Sequence, residues 1–497
     1  MNQPTEKKRF PAWLRTVGWL GFVLLGLVTL LLAGRRLVES SHQKAQALVM
    51  PGRTLPKSSS KNAVAASTSE KESTTSRGIP IAELPLVGVY AGDDMAARKE
   101  LEKQLEEIRK LMTSLAGSSG SDCQVDGVLS FRAALAKMGV AVSDIMTEAE
   151  AAAEFLKQTE RFSAILAQWR EAVGKGPWDF SSMETKDSFA TGNKILNVAI
   201  SLQRLLGAMA EAHMRTGDTD GAWSDLQIMH SSADRSGDVL ANPMFWLWPQ
   251  TFQTAHAGMK LGAWTDIQLM GISTMLGEEN AHTSMRRGMD GQKFWMADYL
   301  THFREHQSEI EEDFSRSKSP IDKMINRFGI ATATDQQISD NLAVIDFQMD
   351  QPFTRFDPDT GVYLGESAGD SRELPHSKPS DVSFDKFYYM YSEMYGGRHD
   401  WVPEQIIRSQ SGIDQTRIAA ALEIHQRAMG EYPATLDAVN ATFGGSTPID
   451  IATGKPYLYQ RDRDGGYTLW GTGIDGKSDG GDKKTDVTWT HRPVKGK

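Results

Sequence analysis

The sequence predicts a mainly α protein that ends in a small α+β module, and three observations carry that prediction. An octapeptide recurs at helical-hairpin spacing in the middle of the chain, and long stretches around it place apolar residues three and four apart. The C-terminal region then changes character, to aromatic and β-branched runs separated by Gly- and Asp-rich segments.

A single N-terminal transmembrane helix is expected ahead of the body. Residues 16–34 carry no charge, are bounded by Arg15 and by Arg35 and Arg36, and approach the roughly 20 apolar residues that cross a bilayer. Trp13 and Trp19 stand where interfacial aromatics sit. A cleaved signal peptide is the alternative, but no small-x-small site follows the apolar run, and Arg35 stands where a lipoprotein would need Cys. The expectation is therefore a retained anchor in the cell inner membrane, single-pass, with residues 1–15 as a cytoplasmic stub and the main domain periplasmic. The basic residues flanking the span give only a slight bias to that orientation.

The formal charge of −10 and a pI near 5.7 argue against nucleic-acid binding. The lone cysteine, Cys123, has no internal disulfide partner and no basic neighbour to activate it. Residues 35–85 are read as a flexible linker, dominated by Ser, Thr, Lys and Ala.

Residues 86–350 are read as a helical, repeat-like domain. Leu101, Leu105, Ile108, Met112 and Leu115 alternate steps of four and three, which makes a helix whose seam is too short for a coiled coil and is expected to pack onto the body. Ala222-Trp223-Ser224-Asp225-Leu226-Gln227-Ile228-Met229 reappears 41 residues later as Ala263-Trp264-Thr265-Asp266-Ile267-Gln268-Leu269-Met270. Each copy follows an apolar helix and a glycine, Gly217 or Gly262, which is how stacked helical hairpins are built. Residues 210–233 weakly resemble a tetratricopeptide hairpin, through Gly217-Asp218 and the small Ala212 and Ala222.

Residues 351–412 are read as an irregular, aromatic-rich connector. Asp357-Pro358-Asp359-Thr360-Gly361 is a turn that lacks the remaining ligands of an EF-hand. Phe384, Phe387, Tyr388, Tyr389, Tyr391, Tyr395 and Trp401 suit a core or junction, with a peptide- or glycan-binding groove as the alternative. His302-Phe303-Arg304-Glu305-His306 matches H-x-x-E-H, the order of inverted zinc peptidases, but runs on into a charged helix face; a solvated surface explains it as well. No nucleophile elbow, phosphate loop, dinucleotide fingerprint or paired-cysteine site occurs, so no catalytic residue is assigned.

Residues 413–490 form the C-terminal module, with 491–497 as a tail. Ile418, Ala421, Leu422, His425 and Met429 recur at helical spacing, Gly430 ends the helix, and Tyr432-Pro433 forces an extended exit. Tyr457–Gln460 and Tyr467–Trp470 read as strands of a β-hairpin across Asp464-Gly465-Gly466. A loop bearing Asp475, Asp479, Asp482 and Asp486 follows. Its hard oxygen donors, with no His or Cys among them, suit calcium, while a solvated acidic turn accounts for the same residues. The order Gly430-Glu431-Tyr432-Pro433, Pro456-Tyr457-Leu458-Tyr459, Gly473-Ile474-Asp475-Gly476 resembles the C-terminal domain of the major pseudopilins of type II secretion systems. That resemblance implies a calcium ion with Asp475 and Asp486 as candidate ligands and Asp479 and Asp482 as weaker additions. The N-terminal segment lacks the pseudopilin leader junction and its downstream Glu, so polymerisation as a pilin is not expected.

These readings converge on a membrane-anchored envelope protein acting as an interaction or scaffold component, with protein partners in the envelope and an association with a type II secretion or pilus-like system. A membrane-tethered zinc hydrolase using residues 302–306 and a peptide- or glycan-binding module are the alternatives.

Overall fold

The computed structural model describes residues 35–47, 79–80, 83–86, 88–91, 94–116, 124–125, 128–176, 178–179, 185–237, 247–305, 334–365, 389, 399–482 and 485–492. The fold is mainly helical, but the expected single transmembrane helix must be corrected. Among the described residues no helix is long and apolar enough to cross a membrane. Residues 16–34 lie outside the described residues. The longest described helix, Thr185–Thr216, shows the physical reason: it carries Lys194, Arg204 and Glu211 within its apolar pattern, too many charges for a membrane span.

The chain divides into two compact units, one of residues 59–302, 349–370 and 398–497, the other of residues 1–58, 303–348 and 371–397. In the first, strand β1 (Ile79–Pro80) and helix α1 (Gly88–Ala91) precede helix α2 (Met95–Ala116). Asp94 caps α2 by accepting from the backbone N–H of Ala96 and Ala97. Leu101, Leu105, Ile108 and Met112 are all buried, and the seam packs on the body. The hairpin of β2 (Gln124–Val125) and β3 (Val128–Leu129) leads to α3 (Phe131–Lys137), α4 (Glu148–Thr159) and α5 (Ser163–Gly174). Thr147 and Glu150 close a capping box on α4. Strand β4 (Trp178–Asp179) pairs in parallel with β1.

Helix α6 (Thr185–Thr216) and α7 (Thr219–Gly237) form the central hairpin. Gly217 makes the turn with φ +83°, and Ala212 and Ala222 are fully buried, which lets the two backbones approach. Buried Gln203 donates from one amide nitrogen towards Met229 O, Leu247 O and Thr251 Oγ1, tying α6 to α7 and to α8 (Trp248–Lys260).

The two copies of the octapeptide are folded differently. In the first, Asp218 caps α7 and the Ala-Trp pair lies inside the helix. In the second, Thr265 and Gln268 form a capping box, so α9 (Asp266–Gly277) begins only after Trp264. The shift in starting point rotates the buried face. Leu226 and Met229 are 0% exposed, whereas their counterparts Ile267 and Met270 are 78% and 51% exposed. The tryptophans meet edge to face at 6.3 Å. Each also lies against a glycine, Trp223 on Gly271 and Trp264 on Gly258.

Helix α10 (Ala281–Glu305) and α11 (Asp335–Asp350) follow. Helix α12 (Val402–Met429) then packs on α8 and α9, with Gly412 against Phe252 and Arg427 paired to Asp266, and carries the terminal module along the same stretch. Gln410 Oε1 accepts from Ala281 N at the start of α10, and Gln415 Nε2 donates to Val487 O in the terminal sheet. Gly430, with φ +84°, ends α12 as its spacing predicts. Strands β5 (Ile449–Asp450) and β6 (Lys455–Pro456) make a short hairpin. Strands β7 (Leu458–Arg461) and β8 (Tyr467–Gly471) form the predicted larger one, joined by a turn that Asp462 N closes onto Gly466 O. A third strand, β9 (Val487–His491), pairs antiparallel with β8, so the sheet order is β7-β8-β9.

In the second unit, the helical residues 35–47 and residues 335–348 of α11 are described together with Tyr389. Ala45, Val344, Phe347 and Tyr389 share a small core. Tyr389 donates to Ser41 O, and His42 Nδ1 lies 2.8 Å from Asp340 Oδ1. Most of the aromatic stretch at 384–395 lies outside the described residues.

Candidate functional site

The acidic loop between β8 and β9 is the candidate site, and it is folded back on the sheet. Trp470 Nε1 donates to Ser478 Oγ, and Thr488 Oγ1 donates to Gly481 O. Gly473 allows the loop to close: with φ +64°, a Cβ there would stand 2.2 Å from Thr485 O.

The four aspartates have unequal roles. Asp486 is buried, and its Oδ2 accepts from the backbone N–H of Asp479 at 3.0 Å and of Gly481 at 2.8 Å. Its Oδ1 is buried with no hydrogen-bond partner. Asp475 is exposed, and its Oδ1 accepts from Lys477 N in an Asx-turn. Asp479 and Asp482 are also exposed. Among the described residues no three metal-ligating side chains come together, so the four aspartates are not gathered on one point. The orphaned Oδ1 of Asp486 is nevertheless a hard oxygen donor held in a Gly-rich loop, which fits a cation completed by backbone carbonyls rather than by four carboxylates.

Beside the loop, Glu404, Arg408, Gly473, Ile474, Asp475 and Thr485 line a hollow of about 170 Å³. Arg408 Nε lies 2.8 Å from Glu404 Oε1, leaving Asp475 as the second carboxylate at its rim.

The sheet is seated on a buried polar layer that sequence reading missed. Asp450 accepts from Ala452 N with one oxygen and from Thr472 N and Oγ1 with the other, fixing the start of the loop. Tyr457 Oη donates to Asp414 Oδ2 at 3.2 Å, and burial pushes the Asp414 carboxyl up to about 7. Nearer the helix end, Tyr432 Oη donates to Glu423 Oε1 at 2.7 Å and lies 3.1 Å from His491 Nε2. The sequence signal for part of this layer was the Val487-Thr488-Trp489-Thr490-His491 alternation, which reads as a strand.

The other motifs resolve less. His306 and the side chains at 302–305 lie outside the described residues, as does Cys123. Asp357 Oδ1 accepts from Asp359 N, Thr360 N and Thr360 Oγ1, so it organises a turn, and those bonds hold its carboxyl below the usual range. Trp401 is partly exposed immediately before α12. No family model, curated protein or solved structure matches this chain.

Proposed function

We propose that this chain is an interaction protein, a scaffold component acting alongside type II secretion or pilus-like machinery, and that its C-terminal module presents the 473–486 loop to a protein partner. The observation that carries this reading is Asp486: one carboxylate oxygen gathers the backbone of Asp479 and Gly481 while the other is buried without a partner. Such a loop is pre-shaped, and a pre-shaped loop loses less entropy on binding. A bound calcium would supply positive charge to the loop oxygens; Asp486 holds the loop backbone together, and Asp475 stands at the hollow shared with Glu404 and Arg408.

The test pairs calorimetric calcium titration of the full chain with co-purification of secretion-apparatus components, for the wild type and Asp486→Asn. Calcium-dependent recovery of those components, lost in the variant, supports the reading. Calcium binding without such components would leave a metal loop with no scaffold role, and neither response would sink the proposal.

A further inference from the structure

The seat of the C-terminal module contains three titratable groups in a hydrogen-bonded row. Glu423 projects from α12, Tyr432 from the chain just past it, and His491 from the end of β9, and all three are buried. Tyr432 has a single hydroxyl proton, which it donates to Glu423 Oε1. At 3.1 Å from the same hydroxyl oxygen, His491 Nε2 must then be the donor, which makes His491 the Nε2–H tautomer. Its Nδ1 is left as a bare acceptor, buried and without a hydrogen-bond partner. The His491 ring is stacked on Tyr467 of β8 at 5.0 Å and 10°.

The row touches every element at the seat. Helix α8 contributes His256, whose ring packs on Trp489 at 3.8 Å, and the positive charge of Lys260. Helix α12 contributes Arg427 beside Glu423. Tyr459 of β7 lies against Tyr467, and Arg461 donates to Tyr432 O.

We infer that Glu423, Tyr432 and His491 form a proton-operated latch that seats the terminal sheet on α8 and α12 while both end groups are neutral. Gain of a proton goes to Nδ1 of His491, where no acceptor waits and Lys260 opposes it. Loss of a proton leaves Glu423 as a buried carboxylate that the Tyr432 hydroxyl donates to. Either change loosens the seat.

The sign follows from each group. Burial, and then Lys260, push His491 from 6.5 down to about 4, so its contribution is complete above 6.5 and lost as pH falls towards 4. Burial pushes Glu423 from 4.5 up to about 7, so its contribution is complete below 4.5 and lost as pH rises through 7. The two windows do not overlap: between about 4.5 and 6.5 the gain of one group offsets the loss of the other, so the seat is held nearly evenly there and only slightly less well on either side.

Hydrogen exchange of the full chain across pH, corrected for intrinsic rates, tests this. Protection of β7 to β9, relative to α6 and α7, is expected to stay nearly level between about pH 4.5 and 6.5 in the wild type and to fall only about threefold outside it, because the two groups offset. His491→Gln, which keeps an N–H donor, removes the offset and should leave protection falling about tenfold or more as pH rises from 4.5 to 7, whereas Glu423→Gln should leave it falling about tenfold or more as pH falls from 6.5 to 4. Variant profiles that superimpose on the wild type would overturn the latch. Should either variant fail to fold, nitrogen-15 spectra of histidine in the wild-type chain decide: a neutral Nε2–H ring persisting down to about pH 4 supports it, and titration at the ordinary histidine value overturns it.

Discussion

The indole of Trp264 lies so close over Gly258 that a Cβ on that glycine would stand 2.2 Å from the ring. The ring cannot slide away freely, because its Nε1 donates to Ala255 O at 2.8 Å in the same helix. Gly258→Ala is expected to cost about 1–3 kcal/mol, the range for overpacking a tight contact. Urea denaturation measures it, with Gly174→Ala as the control, since nothing lies within 4 Å of a Cβ there. Equal losses in both variants would show that the contact does not matter.

Gln203 bridges three helices from a buried position. Replacing it with Leu leaves the carbonyls of Met229 and Leu247 without that donor, and the expected loss is about 1–3 kcal/mol. Thermal unfolding checks it. An unchanged midpoint would mean the bridge is redundant.

Glu211 of α6 accepts from Leu129 N at 2.7 Å, and burial pushes its carboxyl from 4.5 up to about 7. A raised acid stabilises fully below its unfolded value, and that contribution drains away as pH rises through the folded one. The wild type should lose up to about 3 kcal/mol from this group between acid and mildly alkaline pH, as an order of magnitude. Glu211→Gln keeps the acceptor and should remove the dependence. Parallel melting curves for the two proteins across pH would refute it.

Asp450 anchors Thr472 through two hydrogen bonds and Ala452 through a third. Asp450→Ala should cost about 3 kcal/mol, since buried backbone donors lose a charged acceptor. The loss should appear as faster hydrogen exchange at the end of β8 and in the following loop. Exchange that rises equally throughout α6 and α7 would instead mark a global effect.

Local rules made much of this fold legible. The Leu101, Leu105, Ile108, Met112 seam is buried as its spacing requires, Gly430 terminates α12, and the hairpin turn falls where Asp464-Gly465-Gly466 places it. The repeated octapeptide was legible as a repeat but not in its consequences. Near-identical letters begin their helices at different points, because Asp218 caps one and Thr265 the other, and so they bury different faces. At the acidic loop the chemistry of the donors could be read, but not that Asp486 is the one aspartate turned inward. The row of Glu423, Tyr432 and His491 was invisible for a simpler reason: His491 lies 59 residues from its tyrosine partner, and only sheet pairing brings them together.

Helix α12 has one more implication. It is a single unbroken rod of 28 residues, about 42 Å long, which meets the helical body at Gln410 and Arg427 and the terminal module at Asp414, Gln415 and Glu423. A boundary drawn at residue 413 falls inside it and would cut through the turns that join the two parts. The rod thus behaves as an axle common to both parts: the same turns of helix serve the body and the sheet, so a change at one is felt at the footing of the other.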